Sequence, residues 1–335
     1  MVLKKKLTTT LFSFIISIAA FNSIQANEMN LQKDADLPLH ASNEYAAQVQ
    51  EMIKLVREAA HQEILPRWQN VTIENKSQEH SFKDLVTEAD KQASLYILKR
   101  IRPTIPGSYS EEHKHADRFD HDIVWQIDPV DGTQEFCEGY ENGYTTLAAL
   151  LKRQDDGTYA SIAGIIYLPA TDTLWYTNDS TTVVFMRNSN ELPLPTYQRN
   201  ELRIYQRAVD HLKGINDFAE YLGNQLNLPT HIVESGGAGA AVADLLEGKI
   251  NLLIFNNDST KDWDCGMAAP LVKALGGFIC DLDGNDLTFN RHDEPGLSEP
   301  YNLRGFIMSI VFKKEEIMPH TKHLVFDHRL VMPKK

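Results

Sequence analysis

The chain has 335 residues, and its 33 Lys and Arg against 46 Asp and Glu give a formal net charge of −13. This length accommodates two domains of ordinary size. The acidic excess repels phosphate backbones, which disfavours a nucleic-acid polymer as partner. The three cysteines, Cys137, Cys265 and Cys280, show no zinc-type spacing, so a Cys137–Cys265 disulfide and free thiols both remain open.

The N-terminus has the pattern of a secretory signal peptide. Three lysines, Lys4, Lys5 and Lys6, precede an apolar run from Leu11 to Phe21. That run is about half of the ~20 residues that a membrane-spanning helix needs. We therefore predict a signal peptide at 1–26, cleavage after Ala26, and a periplasmic or secreted protein without a stable membrane span. An uncleaved anchor is the alternative.

The next part of the chain predicts two helices and then a sheet. Apolar residues at three- and four-residue steps predict helices from Ala46 to Ile64, ended by Pro66, and from Ala89 to Ile101, ended by Pro103. Apolar and β-branched runs between turn residues then predict an antiparallel or mixed sheet. Its strands are Ile123 to Ile127, Tyr144 to Leu151, Ile162 to Leu168, Leu174 to Tyr176 and Val183 to Met186.

The Asn- and Pro-containing stretch from Arg187 to Asn200 is the best candidate for a boundary. We therefore predict an N-terminal α+β half at 27–190 and a C-terminal α/β half at 191–335, with helices layered on sheets. Pro270 falls inside the last predicted helix, where it would bend the helix or remove a hydrogen bond. The predicted elements of the second half are strands Leu202 to Tyr205, His231 to Val233 and Ile250 to Phe255, and helices Ala240 to Glu247 and Trp263 to Leu275, with Gly276-Gly277 as a C-cap.

The most informative stretch is 125–133, WQIDPVDGT, where an apolar strand ends in Asp128 and Asp131. Pro129 between them fixes its own φ and discourages regular structure, so both carboxylates can point into one crevice. Gly132 permits a close backbone approach. A helix starting directly after it would turn its first amides toward an anion. The segment therefore predicts a place for hard cations and phosphate.

Three further acidic clusters add oxygen donors: Asp84 to Asp90, Glu111-Glu112 after Ser110, and Trp263-Asp264. Carboxylates suit Mg²⁺, which prefers oxygen ligands, better than His or Cys. Each cluster alone also has an ordinary explanation as a helix surface, a solvated loop or an N-cap. The twelve histidines show no zinc-like grouping, so a His-based metal centre is disfavoured.

Taken together and in this order, the four acidic motifs resemble those of the inositol monophosphatase family. The resemblance spans about Glu44 to Ser309, and its most specific element is Asp-Pro-Val-Asp-Gly-Thr. It implies a layered α-β-α-β-α sandwich of the sugar phosphatase type, with the site between the two halves. It also implies a Mg²⁺-dependent phosphomonoesterase that uses water directly, without a covalent enzyme intermediate, and that is inhibited by Li⁺.

The resemblance also implies roles for individual residues. Glu111 and Thr133 would position the attacking water, and the amides of Gly132 and Thr133 would hold the phosphate. Two or three Mg²⁺ ions would be held by Asp90, Glu111, Asp128, the carbonyl of Val130, Asp131 and Asp264. Gly236, Gly237 and Ala238 would line the substrate, although Gly237 stands where relatives have a serine, which puts one substrate contact in doubt.

The substrate is open between branches of the family. The segment Asp84 to Asp90 is similar to inositol monophosphatases, whereas Asp131 to Phe136 and Asp286 to Asn290 are similar to 3'(2'),5'-bisphosphate nucleotidases. We rank a bisphosphate nucleotide first, then inositol 1-phosphate, then a sugar bisphosphate. A catalytically inactive protein that binds metal or a small phosphorylated ligand is the alternative of another class. The resemblance is also compatible with a homodimer.

Overall fold

The computed structural model describes residues 44–68, 73–75, 85–177, 181–208, 211–257, 260–289 and 305–326. The predicted signal peptide at 1–26, Asp84 and Asn290 lie outside these ranges, so the signal peptide stays a prediction. None of the helices within these ranges is long and apolar enough to cross a membrane.

Two helices form the first layer, as predicted. Helix α1 spans Ala46–Ala59 and continues through a π-helical turn, Ala60–Ile64, into a 3₁₀ turn, Leu65–Arg67, that contains Pro66. Two short antiparallel strands follow, β1 (Ile73–Asn75) and β2 (Leu85–Thr87), and then helix α2 (Glu88–Ile101). The β1–β2 pair was not predicted, because three-residue strands are too short to show alternation.

A mixed sheet forms the second layer. The elements are β3 (Tyr109–Ser110), β4 (Ile123–Asp131), helix α3 (Thr133–Glu138), β5 (Thr145–Arg153), β6 (Tyr159–Leu168), β7 (Thr173–Thr177), β8 (Val183–Arg187) and β9 (Asn190–Leu192). The strands lie side by side in chain order. Strands β3 and β4 are parallel, and all other neighbours are antiparallel. The predicted mixed sheet is confirmed, and β9 adds part of the predicted boundary stretch to it.

Strand β4 runs through Pro129. The expectation that the strand stops before the proline is wrong, because pairing with β5 resumes at Asp131 opposite Thr145. A register shift lies between Asp128 and Asp131. A proline is tolerated in a strand at such an irregularity, where a ladder hydrogen bond is already missing. The two carboxylates therefore belong to one irregular strand end.

The second half alternates strands and helices. The elements are β10 (Leu202–Arg207), α4 (Ile215–Leu226), β11 (Thr230–Ser235), α5 (Ala238–Leu246), β12 (Leu253–Phe255), α6 (Asp262–Cys265), α7 (Ala268–Ala274), β13 (Phe278–Cys280), β14 (Phe306–Ser309) and α8 (Lys314–Ile317). Strands β10 and β11 are parallel, and β12, β14 and β13 form an antiparallel sheet in that order. A bridge between Ile204 of β10 and Leu252, just before β12, connects the two sheets.

The predicted helix from Trp263 to Leu275 is in fact two helices, α6 and α7. Pro270 is the third residue of α7. The first amides of a helix have no partner inside it, so the expected loss of a hydrogen bond does not arise. The predicted cap is confirmed: Gly276 has φ +77°, and the Gly277 amide donates to the Val272 carbonyl over 3.0 Å.

The layers follow from which elements touch. Helices α1 and α2 pack on the seven-stranded sheet through β4, β5 and β6. Helix α7 contacts β6 and β7 of that sheet and β13 of the second one, and α5 likewise contacts β5 and β12. Helix α4 packs against β10 and β11. The molecule is therefore the layered α-β-α-β-α sandwich that the resemblance implied.

Candidate active site

Three of the predicted metal ligands meet at the end of β4. One carboxylate oxygen from each of Asp128, Asp131 and Asp264 lies within 4.8 Å of the other two. Asp128 and Asp131 are 3% and 7% exposed and come from β4, whereas Asp264 comes from α6 in the second half. An all-oxygen donor set of this kind suits a hard divalent cation.

The electrostatics of this cluster suit a bound cation. Burial raises the pKa of Asp128 well above its usual range, and the charges of Glu111, Asp131, Asp264 and Asp90 raise it further. Burial, followed by the charge of Asp131, does the same to the pKa of Asp264. Burial also raises the pKa of Asp131 to about 6. Ionised carboxylates packed this closely repel one another, and a divalent ion would remove that repulsion. The residues present therefore fit a metal.

Asp131 is held by the helix that follows the predicted substrate-lining segment. Its Oδ1 accepts a hydrogen bond from the Ala238 amide over 3.1 Å, and its Oδ2 accepts from the Gly239 amide over 2.7 Å and the Thr145 hydroxyl over 3.0 Å. These amides open α5, so the carboxylate lies at the positive end of that helix dipole. The predicted metal ligand thus also joins the two halves, a role that sequence reasoning missed.

The glycines at 236 and 237 allow this close approach. A Cβ on Gly237 would lie 2.7 Å from Asp131 Oδ2 and 2.8 Å from Gly132 Cα. A Cβ on Gly236 would lie 2.2 Å from the Gly143 carbonyl oxygen, which accepts a hydrogen bond from the Gly237 amide over 2.9 Å. A serine at 237 would clash with this arrangement, which gives a physical reason for its absence. The predicted substrate-lining residues do lie beside the carboxylates.

Glu111 lies outside the group of three but close to it. It follows β3, and its amide donates to the Ile127 carbonyl over 3.0 Å, which extends the β3–β4 pairing toward the cluster. Its negative charge raises the pKa of both Asp128 and Asp264. The structure therefore brings this residue, predicted to bind metal and to position the attacking water, close to the other predicted ligands.

Asp90 connects α2 to the site. It is the third residue of α2 and forms a capping box with Thr87, whose amide donates to Asp90 Oδ2 over 2.8 Å. Its other oxygen, Oδ1, lies 3.2 Å from the hydroxyl of Thr133. Asp90 thus caps the helix with Oδ2 and directs Oδ1 toward the first residue of α3.

Thr133 and Gly132 begin α3 next to these groups. Gly132 is the N-cap with φ +81°, a left-handed conformation that favours glycine. The Thr133 hydroxyl lies 3.0 Å from the Val130 carbonyl oxygen and 3.2 Å from Asp90, so it donates its single proton to one of them. A hydroxyl, a carbonyl and a carboxylate thus share one network beside the cluster.

Sequence reasoning also missed an ion pair formed by Glu135 of α3. Arg207, the last residue of β10, donates from Nε and Nη2 to the two oxygens of Glu135 over 2.8 and 2.9 Å. Glu135 is 1% exposed. The pair acts on Asp131, whose pKa is raised by Glu135 and lowered by Arg207. The two residues are 72 positions apart in the chain, so no local sequence pattern predicts that Arg207 pairs with Glu135.

All three cysteines are free thiols, and Cys265 and Cys280 are buried. Burial, followed by the negative charges of Asp90 and Glu138, raises the pKa of Cys137 to about 11. A protonated thiol is a poor nucleophile, so Cys137 is not suited to covalent catalysis at neutral pH.

Comparisons with known proteins agree with these features. The family model of the inositol monophosphatase family matches residues 42–313. A 3'-phosphoadenosine 5'-phosphate phosphatase of Mycobacterium bovis is 28% identical over 207 residues, covering 61% of this chain and 72% of that protein. An inositol-1-monophosphatase of Synechocystis sp. is 26% identical over 207 residues, covering 61% of this chain and 69% of that protein.

A solved structure of similar fold is the IMPase of Thermotoga maritima. It superposes with a TM-score of 0.62 at 21% identity, covering 82% of this chain and 97% of the other. This likeness supports the fold alone. The family match supports more, because it spans most of the chain and includes every acidic segment described above. The chain therefore belongs to the inositol monophosphatase family of metal-dependent phosphatases and is a phosphoric monoester hydrolase.

Proposed function

We propose that this protein hydrolyses a small bisphosphate nucleotide, as a Mg²⁺-dependent 3'(2'),5'-bisphosphate nucleotidase. The observation that carries the proposal is the meeting of Asp128, Asp131 and Asp264 beside the first residues of α3. Carboxylates from both halves thus face the place where the family resemblance puts a phosphate group.

Two or three Mg²⁺ ions are proposed to bind at this place. The residues that would hold them are Asp90, Glu111, Asp128, the carbonyl of Val130, Asp131 and Asp264. When bound, Mg²⁺ supplies positive charge that stabilises the phosphoryl oxygens and lowers the pKa of water. The oxygen-only donor set favours Mg²⁺ over Zn²⁺, which commonly takes nitrogen or sulfur ligands.

The side chains and amides of the site can do the remaining work. The Gly132 and Thr133 amides would hold the phosphate in place. Glu111 would accept the proton of the attacking water, and the Thr133 hydroxyl would orient that water. Asp131 is already fixed by the amides of α5, so it needs little rearrangement to act.

The choice of a nucleotide rests on sequence similarity. The segment from Asp131 to Phe136 resembles nucleotidases, and a relative with 28% identity acts on 3'-phosphoadenosine 5'-phosphate by its name. The second nucleotidase-like segment, Asp286 to Asn290, carries less weight. Its Phe289 is buried and pairs with Tyr159 through backbone hydrogen bonds of 2.8 and 3.1 Å, which is a packing role. Inositol 1-phosphate remains the second candidate because of the Synechocystis relative.

The proposal is tested by phosphate release from a substrate panel with Mg²⁺. The panel contains 3'-phosphoadenosine 5'-phosphate, inositol 1-phosphate and fructose 1,6-bisphosphate, with adenosine 5'-phosphate as the substrate that lacks the 3'-phosphate. We expect the highest kcat/KM for the bisphosphate nucleotide and little release from adenosine 5'-phosphate. The Asp264→Asn variant, purified in parallel, controls for contaminating phosphatases.

Two results would contradict the proposal at different levels. A higher kcat/KM for inositol 1-phosphate or fructose 1,6-bisphosphate would assign the protein to another branch of the family. No Mg²⁺-dependent release from any member of the panel would favour the inactive, ligand-binding alternative.

A further inference from the structure

The ion pair between Glu135 and Arg207 lies directly beside the site but has no part in the chemistry described so far. Two parallel hydrogen bonds join the guanidinium to the carboxylate. The Glu135 side chain is 1% exposed and that of Arg207 is 30% exposed. A buried ion pair is a weak source of stability, because desolvation opposes the attraction of its charges. Its geometric precision suggests another use.

The pair connects two segments that must keep their spacing. Glu135 is the third residue of α3. The N-cap Gly132 and the first residue Thr133 carry the amides that are proposed to hold the phosphate. Arg207 ends β10 and lies in register with Ser235, the last residue before the glycines that lead into α5. The two-point contact of Arg207 with Glu135, called the fork below, therefore joins the start of α3, where phosphate is proposed to bind, to the strand that leads into the substrate-lining segment.

The backbone around Glu135 is tightly packed. A Cβ on Gly143 would lie 2.7 Å from Glu135 Cβ, and a Cβ on Gly132 would lie 2.5 Å from the Gly143 carbonyl oxygen. The same carbonyl receives the hydrogen bond of the Gly237 amide. Glu135 thus packs closely against Gly143, whose carbonyl lies against Gly132 and binds the Gly237 amide.

We propose that Arg207 is a positioning residue, which through its fork on Glu135 holds the first turn of α3 in register with the second half of the site. This inference rests on the proposed function for its readout. Lysine would retain the charge at this place but not the planar, two-point contact. The Arg207→Lys and Glu135→Gln variants should therefore each weaken phosphate binding without removing a metal ligand.

The test measures KM for the best substrate of the panel and the inhibition constant of inorganic phosphate, at saturating Mg²⁺. Both constants should rise about 10-fold in Arg207→Lys and in Glu135→Gln, which corresponds to ~1.4 kcal/mol of lost binding free energy. Because both variants break the same fork, the double variant should resemble either single one instead of showing the product of their effects. The Mg²⁺ concentration for half-maximal activity should stay unchanged.

Arg199 provides a matched control. It forms a similar fork with Glu316, but the two side chains are 45% and 29% exposed, and neither residue belongs to the candidate site. Arg199→Lys should leave KM and the phosphate inhibition constant unchanged.

Three outcomes would overturn the inference. Wild-type constants in both fork variants would show that the fork positions nothing. A lowered melting temperature with unchanged constants would make the pair purely structural. A large effect of Arg207→Lys with none of Glu135→Gln would mean that Arg207 contacts the substrate itself. If the wild-type protein releases no phosphate at all, it is the proposed function that fails.

Discussion

Asp131 serves both the fold and the proposed chemistry. Its two oxygens accept three hydrogen bonds, two of them from the first amides of α5, yet burial still raises its pKa to about 6. An asparagine here would turn an NH₂ group toward those donors and weaken the fold as well as the site. Asp264 is the cleaner target, because its hydrogen bond from the Lys261 amide, 2.7 Å long, can also be accepted by an asparagine oxygen.

Thr133→Ala tests the role of a single hydroxyl. The variant keeps the backbone amide that is proposed to hold phosphate, but it removes the group that is proposed to orient water. We expect kcat to fall by about 10-fold or more while KM changes by less than about 3-fold. Steady-state kinetics would measure this, with Thr133→Ser as the control that retains most of the activity. A raised KM at unchanged kcat would make Thr133 a binding residue only.

At the scale of elements, one buried side chain fixes α1 to the large sheet. Arg57 is 2% exposed, and its Nη2 donates to Asp172 Oδ1 over 2.7 Å and to the Ser189 hydroxyl over 2.9 Å. The Tyr167 hydroxyl donates to the same Asp172 oxygen over 3.1 Å. The turns after β6 and after β8 are thus both held by the helix.

Removing Arg57 should therefore affect stability and leave the site intact. Arg57→Ala leaves a carboxylate without its cation, which typically costs about 3–5 kcal/mol. Urea unfolding should show this loss, whereas KM measured on the folded protein should stay at the wild-type value. Lys54→Ala breaks a largely exposed pair with Glu58, 3.9 Å long, and should change stability by less than ~1 kcal/mol. Equal effects of the two variants would contradict the argument.

Most elements with a long periodic pattern could be predicted from the sequence. Helices α1 and α2 and the strands from β4 to β8 all have such patterns. Helix α4 also has one, in Ile215, Phe218 and Leu222, but this helix is absent from the prediction. The break between α6 and α7 could not be predicted, since Gly266 is set by packing: a Cβ there would lie 2.4 Å from Gln126 Oε1 of β4.

The candidate site shows the same division. Its acidic residues could be identified from motifs, because each motif is local and has a specific order. The anchoring of Asp131 by α5 and the fork on Glu135 could not, since they join residues 107 and 72 positions apart. Such contacts depend on how the two halves are layered, which no single motif encodes.

At the scale of the whole molecule, the carboxylate cluster links stability to pH and metal. Folding raises the pKa of Asp131 to about 6, and those of Asp128 and Asp264 well above the ordinary range. The folded state then binds more protons than the unfolded state between the unfolded value of ~3.9 and the folded values. The stability of the metal-free protein should therefore decrease as pH rises through this window.

Thermal unfolding at about pH 5 and about pH 7.5, with and without Mg²⁺, measures this linkage. Without metal the melting temperature should be lower at the higher pH; each ~1 kcal/mol lost corresponds to about 1–2 °C for a chain of this size. The increase caused by Mg²⁺ should be larger at the higher pH, where the carboxylates are ionised. Asp128→Asn should flatten the pH dependence. A metal-free protein that becomes more stable with rising pH would contradict this reading.

Phosphate release as a function of Mg²⁺ concentration, after chelation, in the wild-type protein and in Asp264→Asn tests the role of the clustered carboxylates most directly. We expect no release without metal and saturable release with Mg²⁺ in the wild type. In Asp264→Asn we expect activity lower by about 100-fold or more, by analogy with the loss of one catalytic electrostatic group, in a protein that still folds. Wild-type rates in that variant, or release that is indifferent to Mg²⁺, would show that the clustered carboxylates do not form the active site.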